Sequence, residues 1–159
     1  MEIVFRAPVP GDMGWVISMH GKIYAQDFQL TPQFEIDIAR KLVLFFDHSD
    51  DFDQLLIALV NGDPVGSIAV SKKSATTAFV NFVLVIHEFR GQGIATKMIN
   101  KVIDHARQNQ FSKLRLETYS CLRGARYLYN KLGFQLVRRN LRIKKYGQVF
   151  DQEFWELIL

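Results

Sequence analysis

Between the apolar run "AFVNFVLVI" and a long amphipathic stretch stands "RGQGIAT", Arg90 to Thr96, whose residue types are those of an anion cradle. Two glycines let the main chain come close to a ligand, and the N–H groups of a helix's first turn have no partners within the helix. They point outward with the positive end of the helix dipole, so phosphate binding is the chemistry this stretch could do. A nucleoside-triphosphate loop would end Gly-Lys-Ser/Thr, and this one ends Gly-Ile-Ala-Thr; a dinucleotide fingerprint needs a third glycine where Thr96 stands and an acid about twenty residues later. Neither pattern fits. Tyr129 falls on the apolar stripe of a later helix, where a buried hydroxyl needs a partner. Cys121 precedes that helix, a place where a thiol pKa can fall, but no histidine lies near it in sequence to serve as its base. His48, His87 and His105 lack metal-ligand spacing and read as surface residues, so no metal is expected.

The elements that must hold these groups follow from periodicity. "EIVFRA" alternates like a short strand, and "GDMGWVISMHGKIYAQDF" reads as a helix with Asp12 as N-cap and interruptions at Gly14 and Gly21. A second helix starts at Thr31-Pro32, with Phe34, Ile38, Leu42 and Phe45 along one side. Asn61-Gly62 joins "FDQLLIALV" to "PVGSIAVS" as a hairpin, and "TTAFVNFVLVI", apolar on both faces except at Asn81, reads as a central strand. From Ile94 the apolar residues recur at helical spacing through Ala106. "SKLRLETYS" is a strand, "LRGARYLYNKLGF" a helix closed by Gly133, and two strands finish the chain. The order βααβββαβαββ predicts an α/β domain with a mixed central sheet of about seven strands flanked by about four helices.

A chain of 159 residues, nearly half of them apolar, suits one domain spanning residues 1–159 with a substantial core. One cysteine excludes an internal disulfide and fits a reducing compartment; no apolar run is long enough to span a bilayer, and a cytoplasmic protein without membrane contact is expected. The net charge of +4 is unevenly spread: residues 11–70 carry nine acidic and three basic side chains, residues 71–159 six acidic and sixteen basic. That asymmetry suits a polyanionic ligand on the second half and a cationic one on the first, or simply differing solvated faces.

Arg90, Gly93 and Ala95 spell Arg-x-x-Gly-x-Ala directly after a central strand. This resembles the pyrophosphate-binding motif of the GNAT superfamily of acetyl-CoA-dependent N-acetyltransferases. The order of elements also resembles the GNAT fold throughout, and Phe89 to Phe134 carries its helix, strand and helix ending in Tyr-x-x-x-Gly-Phe, here "ARYLYNKLGF". The resemblance implies acetyl-CoA as co-substrate. Main-chain groups at Val83, Leu84 and Val85 would pair with the pantetheine arm as an added strand, and the amides of Arg90, Gly91, Gln92, Gly93, Ile94, Ala95 and Thr96 would cradle the pyrophosphate. The strands carrying Val85 and Thr118 would part to admit the thioester, with Asn81 marking a bulge or standing at an edge without a role. Tyr129 would protonate the departing thiolate, its alternative being a purely structural core residue; Tyr127 projects to the surface.

The chain departs from the family pattern twice. Leu122 stands where many relatives have an asparagine that touches the cofactor, leaving that contact to backbone groups or Ser120. The central strand lacks the carboxylate that deprotonates the amine in several branches; Glu117 on the next strand is the nearest substitute, with Glu35, His20, Asp27 or a water chain as the other options. "MHGKIYAQDF" falls where the resemblance places the acceptor-site helices, which implies that His20, Tyr24, Gln26 and Asp27, with Glu35, line an amine pocket. A subgroup of GNAT domains often joined to a MarR-type winged helix is similar in "PGDMGWVISMHGKIYAQDF" and "QVFDQEFWELIL"; here the chain opens on the acetyltransferase strand, so DNA-linked regulation is not implied. The expected function is acetyl transfer from acetyl-CoA to a small-molecule or peptide primary amine in a ternary complex, as monomer or homodimer. A non-catalytic acetyl-CoA sensor or scaffold is the alternative. Nucleic-acid binding through Arg138, Arg139, Arg142, Lys144 and Lys145 has less support, because those charges also suit a guarded strand edge.

Overall fold

The structure, a computed structural model, describes residues 1–159. Strand β1 (Ile3–Arg6) leads into helices α1 (Asp12–Phe28) and α2 (Pro32–Asp47), followed by strands β2 (Gln54–Val60), β3 (Asp63–Lys72) and β4 (Thr77–Val85). A 3₁₀ turn (His87–Phe89) and the glycine loop precede α3 (Ile94–Gln108); then come β5 (Lys113–Tyr119), α4 (Arg123–Lys131), β6 (Gln135–Lys145) and β7 (Gln148–Ile158). The strands form one seven-stranded sheet in the order β1-β2-β3-β4-β5-β7-β6. Only β4 and β5 run parallel, with α3 carrying the chain back from the end of one to the start of the other; β1 and β2, although α1 and α2 lie between them, are antiparallel. The mixed sheet and four helices are those expected from the order of elements.

Two apolar cores lie on opposite faces of the sheet. One gathers α3 and α4 residues (Ile94, Met98, Ile99, Val102, Tyr129) over Ala58, Ile68, Val80 and Leu116; the other gathers α1 and α2 residues (Val16, Phe34, Ile38, Leu42) over Ile57, Ala69 and Phe82. Asn61 and Gly62, at φ 52° and 83°, make the tight β2–β3 turn as expected from Asn-Gly.

Helix α1 differs from the sequence expectation in two ways. It runs unbroken through Gly14 and Gly21, because four buried side chains including Val16 and Ile23 anchor one face and outweigh the low propensity of glycine. Its N-cap is Gly11, at φ 99°, and Asp12 is the first helical residue. The Asp12 carboxylate instead accepts from the Val9 amide (2.8 Å) and Arg6 Nη1 (2.5 Å), and the Arg6 hydrogen bond holds its pKa below the usual carboxylate range. His105 is half-buried rather than at the surface: its ring stacks on Phe52 at 4.5 Å, and Nε2 lies 2.8 Å from the Phe52 carbonyl.

In the centre of β4 the pairing with β3 slips. Ser67 faces Leu84 and Ala69 faces Asn81, so Phe82 and Val83 together oppose Ile68. This is a β-bulge, with Phe82 in the left-handed region at φ 54°. Asn81 Oδ1 accepts from the Phe82 amide (2.9 Å), and the fully buried Ser67 hydroxyl donates to the Phe82 carbonyl (2.7 Å). The bulge reverses the alternation of the strand: Ala78 and Val80 join the α3/α4 core before it, Val83 and Val85 pack against that core after it, and Phe82 turns to the other face.

Candidate active site

The bulge sits where the sheet opens. Strands β4 and β5 pair from Thr77–Lys113 to Val80–Leu116 and no further, while β4 stays bonded to β3 through Val85 and β5 to β7 through Tyr119. From Asn81 onward the β5-facing edge of β4 therefore has no strand partner. A cavity of about 680 Å³ occupies the gap and reaches both faces of the sheet. It is lined by β4 (Phe79 to Val85), β5 (Leu116 to Tyr119), Arg90 and Ala95, by α4 with Tyr129, and by His20, Tyr24 and Asp27 of α1.

At one end lies the glycine loop. Gly91 and Gly93 adopt φ 73° and 81°, which L side chains resist, and Gly93 caps α3 with no side-chain hydrogen bond. The amides of Gly91 to Thr96 find no acceptor in the chain, whereas that of Arg90 donates to the His87 carbonyl. Ile94 is buried in the α3/α4 core and pins the helix start against the sheet. A row of free N–H groups on a rigid helix start has the geometry that suits an anion.

The Arg90 side chain turns away from this row. Its Nη1 lies 3.1 Å from Asp27, and its Nε donates to the Val85 carbonyl at 3.2 Å. His87 Nε2 lies 2.9 Å from the other Asp27 oxygen. Asp27 is thus ion-paired with Arg90, and the pair ties the end of α1 to the glycine loop. Glu35 and Gln26 stand apart from the other residues expected at the amine pocket: Glu35 is exposed on α2 beside Gly21 and Gln26 is exposed on α1, both outside the cavity lining.

Tyr129 is buried at the cavity wall, and its hydroxyl has no hydrogen-bond partner in the chain; burial pushes its pKa up, so the phenol stays protonated across the physiological range. Opposite it, Tyr24 stacks on Phe34 (4.4 Å), with its pKa pushed up to about 12, chiefly by burial. His20 Nδ1 lies 2.7 Å from the Val16 carbonyl, which can only accept, so that nitrogen carries the hydrogen and Nε2 presents a lone pair. Burial lowers the His20 pKa to about 4 and keeps the ring neutral.

Glu117 lies half-buried on the lining and accepts a hydrogen bond from the Gln152 amide; no cation pairs with it. Its neighbour Thr118 is 5% exposed, and Oγ1 has no partner. Across the ladder from Thr118 stands the wholly buried Glu153, held by Arg126 (3.0 Å) and Trp155 Nε1 (3.3 Å) through Oε1 while Oε2 has no hydrogen bond. Sequence reasoning used Thr118 only to mark the parting strand; its orphaned hydroxyl depends on which face the strand turns inward. Cys121 also lines the cavity, but burial raises its thiol pKa, which removes the basis for a nucleophilic thiolate.

Residues 21–134 match the family model described as Acetyltransferase (GNAT) family. The chain belongs to this family. Mouse N-acetyltransferase 8B is 31% identical over 103 residues, which are 65% of this chain and 39% of that protein. An uncharacterized N-acetyltransferase of Methanocaldococcus jannaschii is 34% identical over 104 residues, 60% of this chain and 46% of that one. The match therefore covers less than half the length of these relatives. Among solved structures, the acetyl-CoA complex of a putative acetyltransferase from Salmonella typhimurium superposes with a TM-score of 0.79 at 17% identity, covering 100% of this GNAT chain and 95% of the other. The GNAT fold is thereby shared over the whole chain.

Proposed function

We propose that this GNAT protein transfers the acetyl group of acetyl-CoA to a primary amine by direct attack within a ternary complex. The observation that carries the reading is the parting of β4 from β5 beside a row of unpaired amides, with the Tyr129 hydroxyl unpartnered in the gap. The Gly91–Thr96 amides hold the diphosphate, and the free edge of β4 at Val83, Leu84 and Val85 pairs with the pantetheine arm through backbone hydrogen bonds. The acetyl-CoA complex of the Salmonella structure supports this choice of ligand. The orphaned Thr118 hydroxyl fits the same reading, since a buried polar group without a partner is costly until a ligand satisfies it.

The acceptor amine enters from the α1/α2 side. Its nitrogen bonds to the acetyl carbonyl carbon, whose oxygen is held by a main-chain N–H near Val85, and the carbon–sulfur bond breaks. Tyr129 donates its proton to the departing thiolate and regains one from solvent; the proton lost by the nitrogen passes to Glu117 directly or through water. His20 Nε2 accepts a hydrogen bond from the amine, because a ring with a pKa of about 4 is a poor proton store but a ready acceptor. The single cysteine suits a cytoplasmic site of action.

Calorimetry with acetyl-CoA, followed by thiol release measured across an amine panel, tests the assignment. Binding with amine-dependent release of CoA is the expected result. Binding without amine-dependent release would make the domain a sensor or scaffold, and no binding would overturn the reading altogether.

A further inference from the structure

Glu117 borders more than the main cavity. Phe79 and Glu117 also line a second recess of about 290 Å³ on the same face of the sheet, whose walls include Lys73, Arg115, Arg138 and Phe154. The two spaces therefore border each other at these side chains, and a molecule whose amine reaches Glu117 across that border extends over the recess.

The charges along the route are not evenly compensated. Arg115 and Lys113 share the Glu156 carboxylate, at 2.8 Å and 3.4 Å, and are spent on it. Lys73 and Arg138 have no ion-pair partner: Lys73 lies over the Phe79 ring at 5.4 Å, and the Arg138 guanidinium lies over Phe154 at 4.2 Å. Resting a cation on an aromatic face fixes its position while leaving its outward N–H groups free. Glu117, further in, is an anion without a cation. Arg138, Phe154 and Glu117 are successive partners across β6, β7 and β5, so the two free charges stand about two strand spacings, roughly 10 Å, apart at the backbone. Arg138 folds back over Phe154 to shorten that span.

We propose that the acceptor of this enzyme is a primary amine that also carries an anionic group, an amino acid or similar aminocarboxylate, with its nitrogen toward Glu117 and its carboxylate on Lys73 and Arg138. This rests on the acetyltransferase reading above and adds the substrate class to it. A neutral amine satisfies Glu117 alone, and a polycation meets repulsion at the recess; only a ligand of opposite charges in this order complements both.

The test compares each of several amino acids with its primary amide and with the decarboxylated amine, scoring acetyl-CoA-dependent thiol release as kcat/KM. The amide is less basic than the amino acid and the decarboxylated amine about as basic or more so, so a preference for the carboxylate over both is not a basicity effect. The expected preference is about tenfold, the scale of a charge-assisted contact at a partly solvated site. In the double variant Lys73→Gln/Arg138→Gln the ratio within each set should fall to about one. Arg142→Gln/Lys144→Gln, which removes the same charge from the exposed part of β6, should leave the ratio as it is. A ratio near or below one in the unaltered protein, a ratio that survives the recess variant, or an equal loss in the β6 control each overturns the proposal. Should no amine be turned over, calorimetry of the same sets against the protein with CoA bound decides the matter. Carboxylate-dependent binding lost in the recess variant upholds the subsite even as the catalytic reading fails, and binding indifferent to the carboxylate ends both.

Discussion

Tyr129 and Thr118 carry opposite expectations for the free protein and the working one. Tyr129→Phe keeps the ring that packs on Phe134 and removes only the hydroxyl, so folding should be little changed. Turnover should fall by about 10² to 10³, with the KM for acetyl-CoA nearly constant, because the proton is needed only as the thiolate leaves. The burial-raised pKa of Tyr129 keeps the phenol protonated, so no alkaline fall in rate below about pH 10 should trace to it; comparing the pH profiles of the native protein and Tyr129→Phe checks this. Thr118→Val replaces an orphaned hydroxyl with a methyl group of similar size. Unfolding in denaturant should show it as stable as the native chain or about 1 kcal/mol more so, while calorimetry shows weaker acetyl-CoA binding. Loss of both stability and binding would mean that the hydroxyl has a structural partner.

At the scale of elements, the bulge in β4 is held by two side chains on different strands. Ser67→Ala leaves the Phe82 carbonyl buried without its donor and should cost about 1–3 kcal/mol in chemical denaturation. Because Phe82 sits where β4 leaves β5, the same variant should weaken acetyl-CoA binding. Gly14 has open space around it, and Gly14→Ala should raise the melting temperature by about 2 °C through helix propensity. These elements also divide what the sequence discloses from what it does not. The strand-loop-helix step at Arg90–Thr96 and the Asn61-Gly62 turn were readable because local backbone rules set them. Asn81 pointed to a bulge for a similar reason, as a polar side chain in an apolar strand, although the slip falls on the next two residues. The unbroken course of α1 was not readable, since tertiary burial overrides glycine propensity. Nor was the Asp27–Arg90 pair, which joins residues 63 positions apart, nor the exclusion of Glu35, which hangs on which face of α2 turns outward.

For the molecule as a whole, acid is the informative stress. The folded pKa of His20 is lowered to about 4 from 6.5, so above pH 6.5 the ring is neutral in both states and has no effect on stability. As pH falls below 6.5 the unfolded chain takes up a proton that the folded one refuses, and by pH 4 about 3 kcal/mol of stability should be lost. Asp12 and Asp37, held below their ordinary values by hydrogen bonds from Arg6 and Tyr146, extend the loss to lower pH. Denaturation curves from pH 7 to 4 should show this fall, and His20→Phe should flatten it. The two opposed phases of β4 have a different consequence for the chain as written. Upstream and downstream of Phe82 the same strand obeys opposite inside-outside rules, so the gap between β4 and β5 goes with one extra residue in the strand rather than with any one identity. Removing Phe82 would scarcely shorten β4 and would leave Val83 and Val85 on their present face, yet it would merge the two phases into one regular alternation and erase the offset at which the strand leaves β5.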